Sequence, residues 1–243
     1  MHGASRGFFA ALNDLLFPPL CLGCKRRLES SRPPLFCPHC TTKLVFIRSP
    51  LCSLCGTPFI SGGDHLCGDC LAGHHAFDLA RSLCQYRPPL SELILALKFH
   101  GQLTAITTFN TLLTRSPLVD AFAVPDIILP VPLHDSRLRE RGFNQAQMIA
   151  SGCFPHWKNR IALNVLIRHR STTPQSLLSG TERRRNLRDV FSLVEPDRVA
   201  GARVLLVDDV YTTGSTVNAC SKVLRKAGAE RIEVFTLARS LTK

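Results

Sequence analysis

Val204-Leu205-Leu206-Val207-Asp208-Asp209-Val210-Tyr211-Thr212-Thr213-Gly214-Ser215-Thr216 decides how the rest of the chain is read. Four aliphatic residues run straight into two acids, then into a turn rich in hydroxyls and carrying a glycine. An unbroken apolar run of this kind predicts a strand buried on both faces of a parallel sheet. At the carboxyl end of such a strand, side chains enter the crevice where open α/β sheets bind ligands. Two adjacent carboxylates there can accept hydrogen bonds from a sugar diol, or hold a divalent cation against it. Thr212 to Thr216 offers backbone N–H groups and four hydroxyls, with Gly214 free to take positive φ. A helix starting at about Ser215 would complete a seat for a phosphate with its N-terminus. The competing reading is a buried strand, a capped helix and two solvated acids. It requires acids, hydroxyls and glycine to fall in register by chance.

The order aliphatic (four times)-Asp-Asp-aliphatic-x-Thr-Thr-Gly-x-Thr resembles the type I phosphoribosyltransferases, whose ligand is phosphoribosyl pyrophosphate (PRPP). The resemblance implies that Thr212, Thr213, Gly214, Ser215 and Thr216 bind the 5′-phosphate. It also implies that Asp208 and Asp209 face the ribose hydroxyls and that Mg²⁺ bridges diol and pyrophosphate.

The 243 residues leave room for one medium domain and one small one. A hydrophobic fraction of 45% and a charged fraction of 20% are those of a soluble globular protein. The formal charge of +12 suggests anionic partners: phosphates, nucleotides or nucleic acid. Near the N-terminus, Phe8, Leu12, Leu15 and Leu16 recur at helical spacing and predict an amphipathic helix within residues 1–20 that docks on protein, with a membrane surface as the lesser alternative. Asn13 and Asp14 interrupt the apolar stretch, which argues against a signal peptide. No apolar run is long enough to span a bilayer, and a cytoplasmic location is expected.

Eight of the eleven cysteines form four Cys-x-x-Cys pairs: Cys21/Cys24, Cys37/Cys40, Cys52/Cys55 and Cys67/Cys70. Each pair is a knuckle that presents two thiolates on a tight turn, and two pairs close a tetrahedral site with no position left for water. Zn²⁺ in a structural role is the expected occupant, with disulfides or an iron–sulfur cluster as rivals. Two such ions on eight thiolates, +4 and −8, would bring +12 down to +8. Sequential pairing gives two consecutive zinc ribbons over residues 21–74; spacing alone also permits an interleaved cross-brace. Ribbons of this type bind nucleic acid or protein, or serve purely as a structural cap. Cys84, Cys153 and Cys220 read as ordinary buried cysteines.

Residues 75–243 read as alternating strands and helices, hence a doubly wound parallel sheet with helices on both faces. Strands are expected at Leu79–Tyr86, Pro125–Pro132, Arg203–Asp208 and Ile232–Leu237. Helices are expected at Ser91–Phe99, from Phe143 or Asn144 through Ala150, and from Ser215 to about Ala227 with Gly228 as its cap. Between Asp135 and Arg141 three arginines alternate with other residues, which reads as a mobile polar loop suited to phosphate. From His134 to Val190 eleven basic residues face four acidic ones. A solvated basic face would account for that run; ligand contact is the sharper expectation.

These pieces together resemble the ComF family over nearly the whole length. The resemblance rests on Leu16-Phe17-Pro18-Pro19-x-Cys21-x-x-Cys24, Leu97-Lys98-Phe99-x-Gly101 and Pro130-Val131-Pro132-Leu133. It rests further on Arg139-x-Arg141-Gly142-Phe143-Asn144-Gln145-Ala146, on Gln175-x-x-Leu178 with Arg183-x-x-Asn186, and on Asp208-Asp209. It implies a cytosolic bacterial protein with a zinc-binding N-terminal segment and a phosphoribosyltransferase-like domain, engaged in handling imported single-stranded DNA or in DNA utilisation. Val131 is then expected on the pyrophosphate loop, and Lys98, Arg139, Arg141 and Arg183 around the leaving group. Asp208, Asp209, Arg139 and Arg141 are the catalytic candidates. Expected partners are PRPP or another ribose 5-phosphate-containing nucleotide, single-stranded DNA, and competence or helicase-type proteins. Two readings stay open: phosphoribosyl transfer, or a non-catalytic PRPP- or nucleotide-sensing module that holds DNA or protein through the ribbons and the basic face.

Overall fold

The structure is a computed structural model and describes residues 18–101, 104–169 and 190–241. The expected N-terminal helix falls almost wholly outside those residues, as do Gln175, Arg183 and their neighbours. Six strands are described: β1 (Leu79–Gln85), β2 (Ile127–Pro130), β3 (Leu166–Arg168), β4 (Phe191–Leu193), β5 (Arg203–Tyr211) and β6 (Arg231–Arg239). Seven α-helices accompany them: α1 (Pro38–Thr41), α2 (Gly68–Leu71), α3 (Leu90–His100), α4 (Thr104–Thr114), α5 (Asp135–Arg141), α6 (Gln145–Cys153) and α7 (Ser215–Lys226). β1, β6, β5 and β2 lie side by side in that order, all parallel, and β3 pairs antiparallel with β4.

β5 is central because its residues can be buried whichever way they point. Leu205 and Val207 join the core beneath α3, α4 and α6, with Leu93, Leu97, Phe109 and Ile149. Val204 and Leu206 join the core on the other face, with Val217, Cys220 and Leu224 of α7. The sheet is thus covered by helices on both faces, as the unbroken apolar run requires. β5 continues three residues beyond the expected Asp208, and Gly228 follows α7 with a φ of 84°, the left-handed exit that glycine tolerates.

Two segments depart from expectation. The alternating arginines do not form a loop: Asp135–Arg141 is a helix, N-capped by His134, whose ring nitrogen accepts the Ser136 N–H, and ended by Gly142 at φ 78°. Thr104–Thr114 is a helix that the threonines disguised, although Ala105, Phe109, Leu112 and Leu113 keep helical spacing and are all buried.

The cysteine module lies along the free edge of β1 rather than standing apart. The Ala80 N–H donates to the Leu54 carbonyl at 2.7 Å, Gln85 N–H to Val45 at 2.8 Å, and Ile47 N–H to the Leu83 carbonyl at 3.1 Å. An edge strand that would otherwise present unpaired backbone groups is thereby covered. Gly56 makes the fit possible: its φ is 73°, and a Cβ there would lie 2.7 Å from the Ala80 carbonyl oxygen. Gly56→Ala is expected to lower stability by about 1–3 kcal/mol in urea denaturation of the zinc-loaded protein, because backbone strain and the clash add.

Candidate functional site

The cysteines resolve into two four-sulfur clusters, Cys21/Cys24/Cys37/Cys40 and Cys52/Cys55/Cys67/Cys70, each with its ligand atoms within 4.8 Å of one another. The pairing is therefore sequential. Cys24 and Cys37 sulfurs are 3.6 Å apart, and those of Cys55 and Cys67 3.7 Å. Those separations match the edge of a tetrahedron with zinc–sulfur bonds of about 2.3 Å, and so fit the ion. The first cysteine of each cluster is prepared as a thiolate. Burial pushes the Cys21 thiol up, but backbone N–H groups of Cys24, Cys37 and Gly23 outweigh it and bring it down to about 6. Cys52 is treated alike: burial raises it, and the N–H groups of Cys67, Cys55 and Leu54 bring it down to about 6. α1 and α2 each carry the final cysteine of a cluster, Cys40 and Cys70.

A cavity of about 480 Å³ opens where β2 and β5 end. Asp208, Asp209, Thr212, Gly214, Ser215, Thr216, Val131, Lys98 and Arg141 all line it. Strand alternation sends the two acids to opposite faces. Asp209, 5% exposed, turns to the α3 side and meets the Lys98 ammonium at 2.5 Å. Asp208 turns to the α7 side, where its charge is felt by Arg168 and Cys220. Burial, followed by the neighbouring Asp209 charge, pushes the Asp208 carboxyl up to about 7. Its Oδ1 accepts the Asp209 N–H at 2.9 Å.

The turn after β5 is locked from within. Gly214 sits at φ 72°, and a Cβ there would collide with the Tyr211 ring and hydroxyl. The Thr213 and Ser215 hydroxyls hydrogen-bond at 2.7 Å, and the Asn218 N–H closes the first turn of α7 on the Gly214 carbonyl at 2.9 Å. Thr213 thus shapes the loop without lining the cavity. Across from it, Val131 donates its N–H to Val207 at 2.9 Å, and its carbonyl accepts from the Asn144 amide at 3.1 Å. The same Asn144 caps α6 by accepting the Ala146 N–H at 2.9 Å.

On α5 the alternating arginines part company, since residues two apart lie on opposite sides of a helix. Arg137 and Arg141 line the cavity; Arg139 is exposed and lies outside its lining. Arg141 donates to Gln145 Oε1 at 2.8 Å and lies 5.5 Å from the Phe99 ring centre. Sequence reasoning missed Arg137, whose i,i+4 relation to Arg141 was a usable signal once α5 is taken as helical. It also missed Arg168, Tyr86 and Phe99, which line the cavity from β3, the end of β1 and α3 with no local motif to mark them.

Residues 12–71 match the double zinc ribbon domain family, and residues 162–243 match the phosphoribosyl transferase domain family. Competence protein F of Haemophilus influenzae is 35% identical over 90% of this chain and 96% of its own. The DNA utilization protein YhgH of Escherichia coli is 33% identical over 93% of this chain and 100% of its own. The chain belongs to the ComF family. Competence protein ComFC of Bacillus subtilis is a further relative, 31% identical over 84% of each chain. Among solved structures, the Bacillus subtilis glutamine PRPP amidotransferase aligns with 54% of this chain and 25% of its own at 25% identity, with a TM-score of 0.33. A purine phosphoribosyltransferase from Pyrococcus horikoshii covers 59% of this chain and 85% of its own at 16% identity and a TM-score of 0.29. These structural likenesses are partial. No helix among the described residues is long and apolar enough to cross a membrane.

Elemental analysis of the purified protein should find about two zinc ions per chain, one for each four-sulfur site. Removing them with a chelator should unfold the ribbons and expose the edge of β1, read as a loss of amide protection at Ala80 and Gln85. A second expectation concerns pH. With its carboxyl raised from 3.8 to about 7, Asp208 stabilises the ligand-free fold fully below pH 3.8 and loses that contribution as pH rises through about 7. Asp208→Asn should therefore be more stable than wild type at pH 8, by on the order of 1–3 kcal/mol, with the difference closing near pH 4.

Proposed function

We propose that the cavity binds PRPP with Mg²⁺ and that the protein uses this site while handling single-stranded DNA in competence or DNA utilisation. The reading divides the chain into a ribbon unit over residues 21–74 and a phosphoribosyltransferase-like unit over 75–243. One observation carries it: a turn built for a phosphate, two carboxylates, and four cations (Lys98, Arg137, Arg141 and Arg168) line a single cavity. A pentose bearing phosphates at both ends needs that combination.

The 5′-phosphate would accept from backbone N–H groups and hydroxyls at Thr212–Thr216, at the start of α7. Asp208 and Asp209 would take the ribose hydroxyls, and their hard oxygen donors suit Mg²⁺. When bound, that ion supplies charge stabilisation for the pyrophosphate. Arg137 and Arg141 approach from α5, opposite the phosphate turn, and would hold the pyrophosphate as bidentate partners. Arg139 would act outside the cavity, as part of the basic surface. Transfer of the phosphoribosyl group would proceed through oxocarbenium character at C1, with these cations stabilising the departing charge. The relatives' names place competence and DNA utilisation in the family. The formal charge of +12 supports a polyanionic partner for the basic face and ribbons.

Calorimetry with PRPP and Mg²⁺ tests the site. Saturable heat is expected, and Asp209→Asn should weaken binding by about tenfold or more. Absence of heat in folded, zinc-loaded protein would overturn the reading. Incubation with each common base separates transfer, seen as base-dependent pyrophosphate release, from binding without turnover. Affinity for single-stranded DNA should fall steeply as salt rises, with a log–log slope that Arg139→Gln makes shallower by about 0.7.

A further inference from the structure

The second metal cluster and the phosphate turn touch the same buried cation. Arg239, at the end of β6, is 7% exposed. Its guanidinium donates to the Cys55 carbonyl at 2.7 Å, approaches the Cys55 sulfur at 3.5 Å, and donates to the Thr57 hydroxyl. It also lies over the Tyr211 ring, 4.2 Å from its centre. Tyr211 in turn occupies the space that any side chain at position 214 would need. Backbone pairing holds the ends together, since Ser240 N–H donates to the Tyr211 carbonyl at 2.8 Å and Tyr86 N–H to the Arg239 carbonyl at 2.7 Å.

Electrostatics says why a cation belongs there. A zinc ion on four thiolates carries a net charge of about −2, and a buried anion of that size needs a partner. Arg239 and Arg81, which donates to the Ser53 carbonyl at 3.0 Å and lies near the Cys52, Leu54 and Ala80 carbonyls, surround the second cluster. Without the cluster, Arg239 loses its counter-charge and two of its anchors. Its place over the Tyr211 ring then rests on the ring contact and the Thr57 hydroxyl alone, in competition with water.

We propose that Arg239 is a positioning residue through which the second metal cluster sets the shape of the phosphate turn. Occupancy of the Cys52/Cys55/Cys67/Cys70 site then governs affinity at Thr212–Thr216, by way of Tyr211 and Gly214. The claim about affinity rests on the reading of that turn as a phosphate seat; the claim about shape does not.

The chain has only two tyrosines, Tyr86 and Tyr211, so 3-fluorotyrosine labelling gives two ¹⁹F resonances, assignable through Tyr86→Phe. Cys67→Ser should cost one zinc ion and shift the Tyr211 resonance, and Arg239→Met should shift it with both ions still loaded. Arg239→Met should release one of the two ions to a chelator about tenfold faster than wild type. PRPP affinity should fall about tenfold in the same variant. Arg239→Lys restores the charge but not the planar fork, so it should recover zinc retention while leaving PRPP binding weak. A purely structural arginine would show no such split. An unmoved Tyr211 resonance in Arg239→Met and Cys67→Ser overturns the relay whatever the ligand result. Should wild type bind no PRPP, the phosphate reading falls on its own, and the fluorine signal still decides the coupling.

Discussion

β5 is buried on both faces between two parallel neighbours, and that burial dictates where the polar chemistry can go. Val204, Leu205, Leu206 and Val207 are almost fully excluded from water, and the first acids follow only where β2 has ended and β5 keeps a single strand neighbour, β6. Asp208 and Asp209 stand there, little exposed themselves, and line the cavity that opens beyond the end of β2. α7 must begin at once to cover the sheet, and Gly214 makes the reversal with φ in the left-handed region. Candidate site and core are therefore two ends of one constraint.

The ribbons obey a related one. β1 is the outer strand of the sheet, and its exposed amides and carbonyls need partners. The cysteine module supplies them through Leu54, inside the Cys52/Cys55 knuckle, and through Val45 and Ile47 on the segment that joins the two clusters. A segment with so little apolar mass could not keep that alignment without metal. Metals at these sites would do more than fold their own loops: they would help finish the sheet, and on the relay proposed above the second would reach past β1 to β6 and β5 through Arg239.

Local signals were legible in the sequence where they were periodic or stereochemically demanding. The apolar run of β5, the four knuckles, the glycine at position 214 and the alternation of strands and helices all fall in this class. What the sequence concealed was of two kinds. Some periods are disguised, as in α4, where threonines dilute the stripe, and in α5, where a spacing of two reads as a loop although a helix splits Arg139 from Arg137 and Arg141. Other features exist only through long-range contact. Arg168, Phe99 and Tyr86 reach the cavity from elements far apart in the chain, and the link from Cys55 to Arg239 spans 184 positions. Cysteine spacing is equally silent on pairing, because both arrangements use the same knuckles; sulfur positions decide it.

Charge within the cavity is balanced in a way that the proposed phosphorylated sugar would displace. Asp209 is neutralised by Lys98 at the α3 side, and Asp208 is held toward its protonated form by burial and by the adjacent acid. On the proposed reading neither compensation would be permanent: Lys98, 23% exposed on a flexible stem, would turn from the carboxylate to an incoming phosphate, and the Asp208 proton would leave once a cation or diol takes its place. Arg137, Arg141 and Arg168 line the cavity beside Lys98, so four cations there face two acids, a balance that favours a strongly anionic ligand. Binding would then exchange internal pairs for ligand pairs rather than create charge in a dry pocket, which lowers the desolvation cost of holding two acids side by side at the end of a buried strand.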